Sequence, residues 1–243
     1  MGTEEAGGQV AQDPVTVWAR PERGARGPAA VHSRAELTVV AVELADRSGL
    51  SAVSMRHVAK ALGAGQASLY RYISGREDLL DLMTDAVAGE IDLGIGLRGD
   101  PVEDLVALAA RTKDVHLRHP WLLDVPPEPL RLGPRSLDYL DYALRALAPA
   151  RLPGRTGMET VALMNALITQ FARAELRSGN TATDRQAAQA AYLSEAAARG
   201  DHPAIAAAMA DQTEPDAAED PQVLFERTMH RVLTGLLGPG PSR

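Results

Sequence analysis

Apolar residues recur at intervals of three and four positions along most of the chain, which is the spacing of amphipathic α-helices. The first such series begins after Arg34 and ends before Gly49, and it consists of Leu37, Val40, Ala41, Leu44 and Ala45. A glycine just beyond the last apolar residue is a common helix stop. The pattern therefore predicts a first helix between Arg34 and Gly49.

Two short helices are predicted next, separated by the turn Gly63-Ala64-Gly65. Ser54 is of the residue type that caps a helix start, so the second helix is expected to begin after it. The third helix is expected to run for about two turns, from Gln66 to Tyr72 or Ile73. Two helices joined by a short turn with glycine, between a helix before and a helix after, predict a helix-turn-helix.

A fourth helix is expected after Ser74–Glu77, a segment with the S-x-x-E form of a capping box. Residues 94–101, GIGLRGDP, predict a hinge. Beyond them, helical spacing covers residues 102–119, 134–148, 156–178, 184–199 and 221–237. The sequence therefore predicts an all-α protein with a flexible basic arm over residues 1–32, a head over 33–93 and a larger helical bundle over 102–243.

Composition excludes several classes of function. The chain has no cysteine, which rules out disulfide frameworks, thiol nucleophiles and cysteine-ligated metal sites. It has no run of 18 apolar residues and no signal-like start, so we expect neither a membrane span nor export, and we expect a cytoplasmic location. No motif in the chain calls for a cofactor.

Charge is distributed unevenly along the chain. The whole chain has a net charge of −7, yet residues 18–76 hold nine arginines and lysines against four acids, a net charge of +5. A basic region on an otherwise acidic protein is typical of a domain that binds nucleic acid.

The start of the third predicted helix carries candidate base-reading residues. Ala67 and Ser68 beside Gln66 keep the leading face of that helix narrow, so its backbone can approach base edges in the DNA major groove. The Gln66 amide matches N6 and N7 of adenine, and the guanidinium of Arg56 matches O6 and N7 of guanine. Ser68 is expected to contact either a base or a phosphate.

The polar residues that follow suit the DNA backbone better than the bases. Tyrosine hydroxyls and guanidinium groups bind phosphates without reading sequence. We expect Tyr70, Arg71, Tyr72 and Arg76 to make such contacts, with Arg76 at the N-terminus of the fourth helix. For each tyrosine the alternative is packing in the core of the head.

The segment from Arg34 to about Asp92, centred on LSAVSMRHVAKALGAGQASLYRYISGREDLLDLM, resembles the DNA-binding domain of the tetracycline-repressor (TetR-like) family of bacterial regulators. The resemblance implies a three-helix head, a linking fourth helix and an all-helical body for ligand binding and dimerisation. It places Ser54, Met55 and Arg56 where the second helix meets DNA. It also agrees with the base and phosphate contacts expected from the third helix onward.

Two positions depart from the family pattern. Tyr72 stands where a histidine is frequent, and Gly75-Arg76 stands where Asn-Lys is common. Both changes keep polar function, through the hydroxyl of Tyr72 and the guanidinium of Arg76. We therefore expect them to alter the operator that is recognised and not the DNA-binding activity.

The resemblance further implies a homodimer. In that family two bodies pair through a four-helix interface, whose counterparts here are Thr156–Ser178 and Pro221–Leu237. The last helix presents more apolar surface than one body needs to bury. A dimer places two recognition helices about 34–36 Å apart, so a palindromic operator of double-stranded DNA is expected.

A small-molecule site is expected within the body, because pockets in helical bundles lie between helices and are mostly apolar. Its candidate contacts are the aromatic, imidazole and thioether residues His116, Trp121, Tyr139, Tyr142, Met164 and Phe171. Ordinary core packing is the alternative for each of them. We expect a small apolar or amphipathic effector to shift the fourth helix and move the two heads off their groove spacing, which requires tighter binding to the released state.

The expected function is that of an effector-released transcriptional repressor and not of an enzyme. Two alternatives stay open. His116 and His119 have the i, i+3 spacing of metal ligands on a helix, so an all-α metal-dependent enzyme is the first. The second keeps the fold and gives the body a protein partner in place of a small ligand. The G-x-G-x-x-G at residues 94–99 predicts no dinucleotide site, because no strand precedes it.

Overall fold

The computed structural model describes residues 16–20, 32–126, 131–178, 184–210 and 220–238. Within these ranges the chain forms α-helices and short 3-10 turns and no strand, so the predicted all-α class is confirmed. The helices are α1 Arg34–Ser48, α2 Met55–Ala61, α3 Gln66–Leu69, α4 Arg76–Ala88, α5 Pro101–Arg118, α6 Pro134–Leu147, α7 Gly154–Ser178, α8 Asp184–Ala198, α9 Pro203–Ala210 and α10 Pro221–Leu237.

The chain divides into two compact units. The head unit comprises Met1–Glu90 and Asp124–Asp138, and the body unit comprises Ile91–Leu123 and Tyr139–Arg243. Helices α1 to α4 belong to the head unit, and α5 and α7 to α10 belong to the body unit. The boundary between Asp138 and Tyr139 falls within α6.

Helix α1 has the bounds that its sequence predicts. The Ser33 hydroxyl accepts a hydrogen bond from the Glu36 N–H, and the Glu36 carboxylate accepts one from the Ser33 N–H, so two exposed donors at the helix start are satisfied. Gly49 ends the helix with φ of +76°, a conformation that favours glycine, and donates its N–H to the Ala45 carbonyl. Leu37, Ala41 and Ala45 are buried in the head.

The helix-turn-helix also forms as predicted, although α3 is shorter than expected. The Ser54 hydroxyl accepts a hydrogen bond from the His57 N–H and caps α2. Helix α3 starts at Gln66 but ends at Leu69, because the next N–H groups bond three residues back in a tightened turn. The turn carries Tyr72 and Ile73 into the core of the head, where both are buried.

The capping box predicted for α4 is wrong. The N-cap position of α4 is occupied by Gly75, which has no side chain and therefore makes no side-chain cap. Ser74 instead donates both its N–H and its hydroxyl to the carboxylate of Asp78, at 2.5 and 2.8 Å. Ser74 bonds Asp78 and not Glu77, because Arg20 also binds the Asp78 carboxylate, whereas the Glu77 carboxylate pairs with Arg131.

A short N-terminal segment is packed onto the head unit. Val17–Ala19, which the sequence places in a flexible arm, forms a 3-10 turn with Val17 fully buried. The Arg20 guanidinium bonds both carboxylate oxygens of Asp78 at 2.6 Å and also the Ser74 hydroxyl. Residues 1–15 and 21–31 of that expected arm lie outside the described residues.

Gly133 provides the space for this N-terminal segment. A methyl group at Gly133 would lie 2.5 Å from the Trp18 ring and against the carboxyl of Asp85. Asp85 is itself buried, and its carboxylate accepts hydrogen bonds from the N–H and the hydroxyl of Ser136 at the start of α6. Residue 133 must therefore be a glycine, because only a residue without a side chain lets the backbone there lie against both the Trp18 ring and the Asp85 carboxyl.

We expect Gly133→Ala to destabilise the protein by about 1–3 kcal/mol, because the added methyl group overpacks a filled site. Urea denaturation followed by circular dichroism measures the change. Gly154→Ala is the matched control, since a methyl group there meets nothing within 4 Å. Equal unfolding midpoints for the two variants would show that the contact with Trp18 and Asp85 is not tight.

The core of the body unit lies where α5 contacts α7 and α10. Asp100 caps α5 by accepting from the N–H groups of Val102 and Glu103, and Pro101 occupies the first helical position. The expected hinge, residues 94–101, is held to this unit. Its N–H groups at 98 and 99 donate to the Asp104 carboxylate, and its Ile95 carbonyl accepts from the Tyr142 hydroxyl.

A buried charge in this core was not foreseen from the sequence. The side chain of Lys113 is 1% exposed, and its ammonium lies 2.7 Å from the Glu175 carboxylate and 4.9 Å above the Phe225 ring. Phe225 meets Phe171 edge to face with ring centroids 5.2 Å apart. The ammonium thus has both a charge partner and an aromatic face, which offsets the cost of burying it.

Candidate DNA-binding surface and effector site

One face of the helix-turn-helix is exposed and carries the predicted base-reading residues. The side chains of Arg56, Gln66 and Ala67 are exposed, and Ser68 is half-buried with its hydroxyl donating to the Gly65 carbonyl. The opposite faces of α2 and α3 bury Val58, Ala59 and Leu69 in the head. Burial of one face therefore fixes the other toward solvent, where a long duplex can reach it.

Ser54 and Met55 have structural roles at the start of α2. Ser54 is half-buried, and its hydroxyl is engaged in capping. Met55 is 8% exposed, so it belongs mainly to the core. Met55 offers no polar group to a base, and the assignment of both residues as DNA contacts stays a prediction from the family resemblance.

The predicted phosphate contacts divide into exposed and buried residues. Tyr70, Arg71 and Arg76 are exposed. Tyr72 is only 7% exposed, which favours the alternative of core packing for its ring. Its carbonyl accepts a hydrogen bond from Nε of Arg34 at 2.9 Å.

Asp78 organises the turn between α3 and α4. Its burial alone would raise the pKa of this carboxyl. Hydrogen bonds from the N–H and hydroxyl of Ser74 and from Arg20 outweigh that effect and hold the pKa of Asp78 below its usual range. The carboxylate therefore stays charged at neutral pH and keeps Arg20 in place.

Helices α5, α6 and α7 meet at a polar contact inside the body unit. The Tyr139 hydroxyl donates to the Asn165 side-chain oxygen at 2.6 Å. Burial raises the pKa of Tyr139 to about 12, although hydrogen bonds with Thr112 and Asn165 oppose the shift. The phenol is therefore neutral at physiological pH and acts as a hydrogen-bond donor.

His116 lies one turn beyond Thr112 on α5. Its Nδ1 is 2.9 Å from the Thr112 carbonyl. Burial lowers the pKa of His116, and the hydrogen bond to Thr112 opposes that shift only in part. The imidazole is therefore neutral at pH 7.

Protonation of His116 should make stability depend on pH. Because the folded state binds this proton less readily than the unfolded state, the stabilisation is fully present above pH 6.5, the ordinary pKa, and is lost as the pH falls below it. We expect His116→Gln to lose less unfolding free energy than the wild type between pH 7 and pH 5, measured by urea denaturation. The exposed His202→Gln is the control, and identical pH profiles for all three proteins would contradict this account.

The other predicted effector contacts are buried or half-buried in the body unit. Trp121 is buried beside His119, with ring centroids 6.1 Å apart, and Met164 is buried on α7. Tyr142 lies under the guanidinium of Arg111 at 5.8 Å from its ring centroid. The direct contacts link His116 and Tyr139 through Thr112, whereas Phe171 packs on Phe225.

Two family descriptions match almost the whole of the folded chain. Residues 37–83 match the family described as bacterial regulatory proteins, tetR family, and residues 97–238 match the tetracyclin repressor-like C-terminal domain. The second match alone covers more than half of the chain. The chain belongs to the tetR family.

Curated relatives of this tetR-family protein are regulators. It is 32% identical over 246 residues to the HTH-type transcriptional repressor DrrR1 of Streptomyces coeruleorubidus, a match that covers 96% of this chain and 88% of the relative. An HTH-type transcriptional regulator of Saccharopolyspora erythraea is 36% identical over 137 residues, 56% of this chain and 58% of the relative.

Solved structures share the fold. ActR of Streptomyces coelicolor, in complex with actinorhodin, superposes with a TM-score of 0.69 at 23% identity, over 88% of this chain and 99% of ActR. The complex of ActR with (S)-DNPA gives a TM-score of 0.68 at 24% identity, over 87% of this chain and 98% of ActR. The predicted architecture of a helix-turn-helix head and a helical body is thereby confirmed.

The family assignment sets the function at a general level. This tetR-family protein is a DNA-binding transcriptional repressor. Regulators of this family are transcription factors and not enzymes. Among the residues that the structure describes, no group of three His, Cys, Asp or Glu side chains is placed to hold a metal ion, and no helix is long and apolar enough to cross a membrane.

Sequence reasoning missed the polar partners of the predicted effector contacts. Thr112 and Asn165 bond Tyr139, and Arg111 bonds Tyr142. Of these three partners, only Asn165 could have been found from the sequence, because it is an amide within the otherwise apolar stretch around Met164. Thr112 and Arg111 are ordinary residues of an amphipathic helix, and only the fold shows that they face α6.

Proposed function

We propose that the protein reads its operator with Arg56 and Gln66 and holds the DNA backbone with Tyr70, Arg71 and Arg76. The observation that carries this proposal is the joint exposure of Arg56, Gln66 and Ala67 on the solvent face of a helix-turn-helix whose other face is core. The surrounding stretch of sequence has a net charge of +5, which favours DNA. Tyr72 and Met55 contribute mainly by packing.

We further propose that the protein acts in the cytoplasm as a homodimer on a palindromic operator. Leu163 on α7 is 50% exposed and Val223 on α10 is 53% exposed, with Leu224 beside it also exposed. Apolar side chains on two helices that contact each other form a surface that pairing would bury. Met229 and Leu233 of α10, expected in that interface, are instead fully buried within the body unit.

The effector is proposed to bind in the body unit near His116 and Tyr139. A neutral imidazole and a neutral phenol in a mostly apolar surrounding suit an aromatic molecule with hydrogen-bonding groups. ActR, which shares the fold, has been solved with actinorhodin and with (S)-DNPA, and this supports a small-molecule effector for this protein.

Release is proposed to pass through α6 to α4. Within the head unit, Arg131 bonds Glu77 and Asp81 of α4, each at 2.6 Å, and Asp85 of α4 bonds Ser136 of α6. The same helix α6 carries Tyr139 further along the chain. An effector that binds the released state more tightly would shift α6 and, with it, the recognition helices.

A ligand screen tests the effector proposal. Wild-type protein and Tyr139→Phe are melted in the presence of a library of aromatic metabolites, and each stabilising compound is added to the protein–DNA complex. A compound at 100 times its Kd should stabilise the wild type by about 2.7 kcal/mol, release the DNA and bind Tyr139→Phe more weakly. Release by a protein partner with no stabilising compound in the library would favour the partner alternative.

A further inference from the structure

A groove lined by three arginines lies in the head unit beside the end of the recognition helix. Its volume is about 270 Å³, and its lining includes Arg20, Arg34, Tyr70, Arg71 and Ser74. Three of these five residues are arginines, and a guanidinium group can donate two parallel hydrogen bonds to two oxygens of one phosphate. The groove therefore has the chemistry of a site for a phosphate group.

The N-terminal segment Thr16–Arg20 contributes Arg20, its last residue, to the lining of this groove. Val17 anchors the segment in the core, and Asp78 holds the Arg20 side chain at 2.6 Å. The carbonyl of Arg20 then accepts a hydrogen bond from Arg34 Nη1 at 3.0 Å, while the carbonyl of Tyr72 accepts from Arg34 Nε. Two carbonyls thus fix the orientation of the Arg34 guanidinium.

The groove also has the right position for DNA. Tyr70 is the first residue after α3, and Tyr70 and Arg71 are exposed. They follow directly on Gln66 and Ala67, which form the start of the reading face. A phosphate of a duplex whose major groove receives α3 passes close to the residues that end this helix.

We propose that this groove binds one backbone phosphate of the operator, with Arg34 and Arg71 as its two ligands and the segment Thr16–Arg20 as the element that positions Arg34. The proposal rests on the DNA-binding function proposed above. The matched family domain begins at residue 37, so it assigns no role to the segment or to Arg34.

Salt dependence of DNA binding tests the proposal. A duplex is selected by the full-length wild-type protein from a random DNA library, and its Kd is measured by fluorescence anisotropy at several salt concentrations. Each phosphate neutralised contributes about −0.9 to the slope of log affinity against log salt. Arg34→Gln should weaken binding by roughly five- to tenfold at 0.1 M salt, make the slope less steep and leave the preference over a shuffled duplex unchanged.

A double substitution tests whether the two arginines share one phosphate. Arg34→Gln with Arg71→Gln should reduce the slope by about 0.9 in total, since one phosphate is lost. A reduction of about 1.8 would place the two arginines on separate phosphates and would overturn the shared groove. An unchanged affinity and slope in Arg34→Gln would overturn the proposal as a whole.

Arg47→Gln is the matched control. Arg47 lies on the same helix α1, about 20 Å from Arg34 by helix rise, and it is exposed and paired with Glu43. The control should bind as the wild type does. Failure of the wild-type protein to select any duplex would instead contradict the proposed function itself, so the two failures are distinguishable.

A second measurement uses the wild-type protein alone and applies if thermal melting shows that Arg34→Gln is poorly folded. The NMR signals of the Nε–H groups of Arg34 and Arg71 should shift when the selected duplex is added, and that of Arg47 should not. An Arg34 signal that is unmoved by DNA would overturn the proposal without any substitution.

Discussion

Replacing Arg56 and Gln66 together by alanine removes most of the preference of the protein for its operator over a shuffled duplex. Each side chain that reads a base by two hydrogen bonds contributes roughly 1–3 kcal/mol to that preference. Both residues are exposed, so the variant should melt as the wild type does. The ratio of Kd values for the two duplexes, measured by fluorescence anisotropy at fixed salt, gives the loss directly.

Arg47→Ala is the control for this experiment. Arg47 is exposed on α1, where it pairs with Glu43, and its replacement removes one positive charge outside α2 and α3. We expect the control to keep the ratio of the two Kd values. If the double variant also keeps that ratio, Arg56 and Gln66 do not read bases, and the recognition surface lies elsewhere on the head.

Phe225→Ala should be the most destabilising single substitution in the body unit, with a loss of about 3–5 kcal/mol in the free energy of unfolding. The ring is fully buried on α10, where it packs edge to face on Phe171 and lies under the Lys113 ammonium. Its removal opens a cavity and also exposes a buried cation to an apolar void. Urea denaturation followed by circular dichroism measures the effect.

Thr234→Ala provides the baseline on the same helix. Thr234 is exposed, and substitutions at such positions change stability by about 0.5 kcal/mol or less. A loss below about 1 kcal/mol for Phe225→Ala would mean that the neighbouring helices close over the cavity. The contact of α10 with α5 and α7 would then not be the main source of stability in this unit.

Local signals in the sequence were sufficient for most helix bounds. Helix α1 lies between the Ser33 cap and Gly49, and α2 begins after Ser54, because these signals act over a few residues. The long body helices fall within two residues of their predicted limits for the same reason. Helix α9, PAIAAAMA, was not expected, since its apolar residues show no helical alternation with polar ones.

Features that depend on distant partners could not be predicted. The cluster of Ser74 and Asp78 includes Arg20, which lies 54 and 58 positions earlier in the chain than these two residues. The buried Lys113 depends on Glu175, which is 62 positions away. Periodicity reports which face of a helix is apolar and says nothing about which helix that face will meet.

The residues of the candidate site also divide into those that local signals predict and those that depend on distant partners. Arg56 and Gln66 were correctly placed on an exposed face, because the apolar positions of α2 and α3 define the opposite one. Met55 was assigned from the family resemblance and Tyr72 from the chemistry of its hydroxyl, and the burial of both depends on the packing of the head. The sequence did not distinguish effector contacts from core residues, since aromatic residues of a bundle serve equally well as core.

The measurement that tests the account most directly is a salt titration of wild-type protein on a duplex selected from a random library. Occupation of six to ten phosphates would give a slope of log affinity against log salt of about −5 to −9. The account predicts such a steep slope, together with a palindromic selected sequence and at least about a thousandfold weaker binding to a shuffled duplex. A shallow slope with equal affinity for the two duplexes would contradict it.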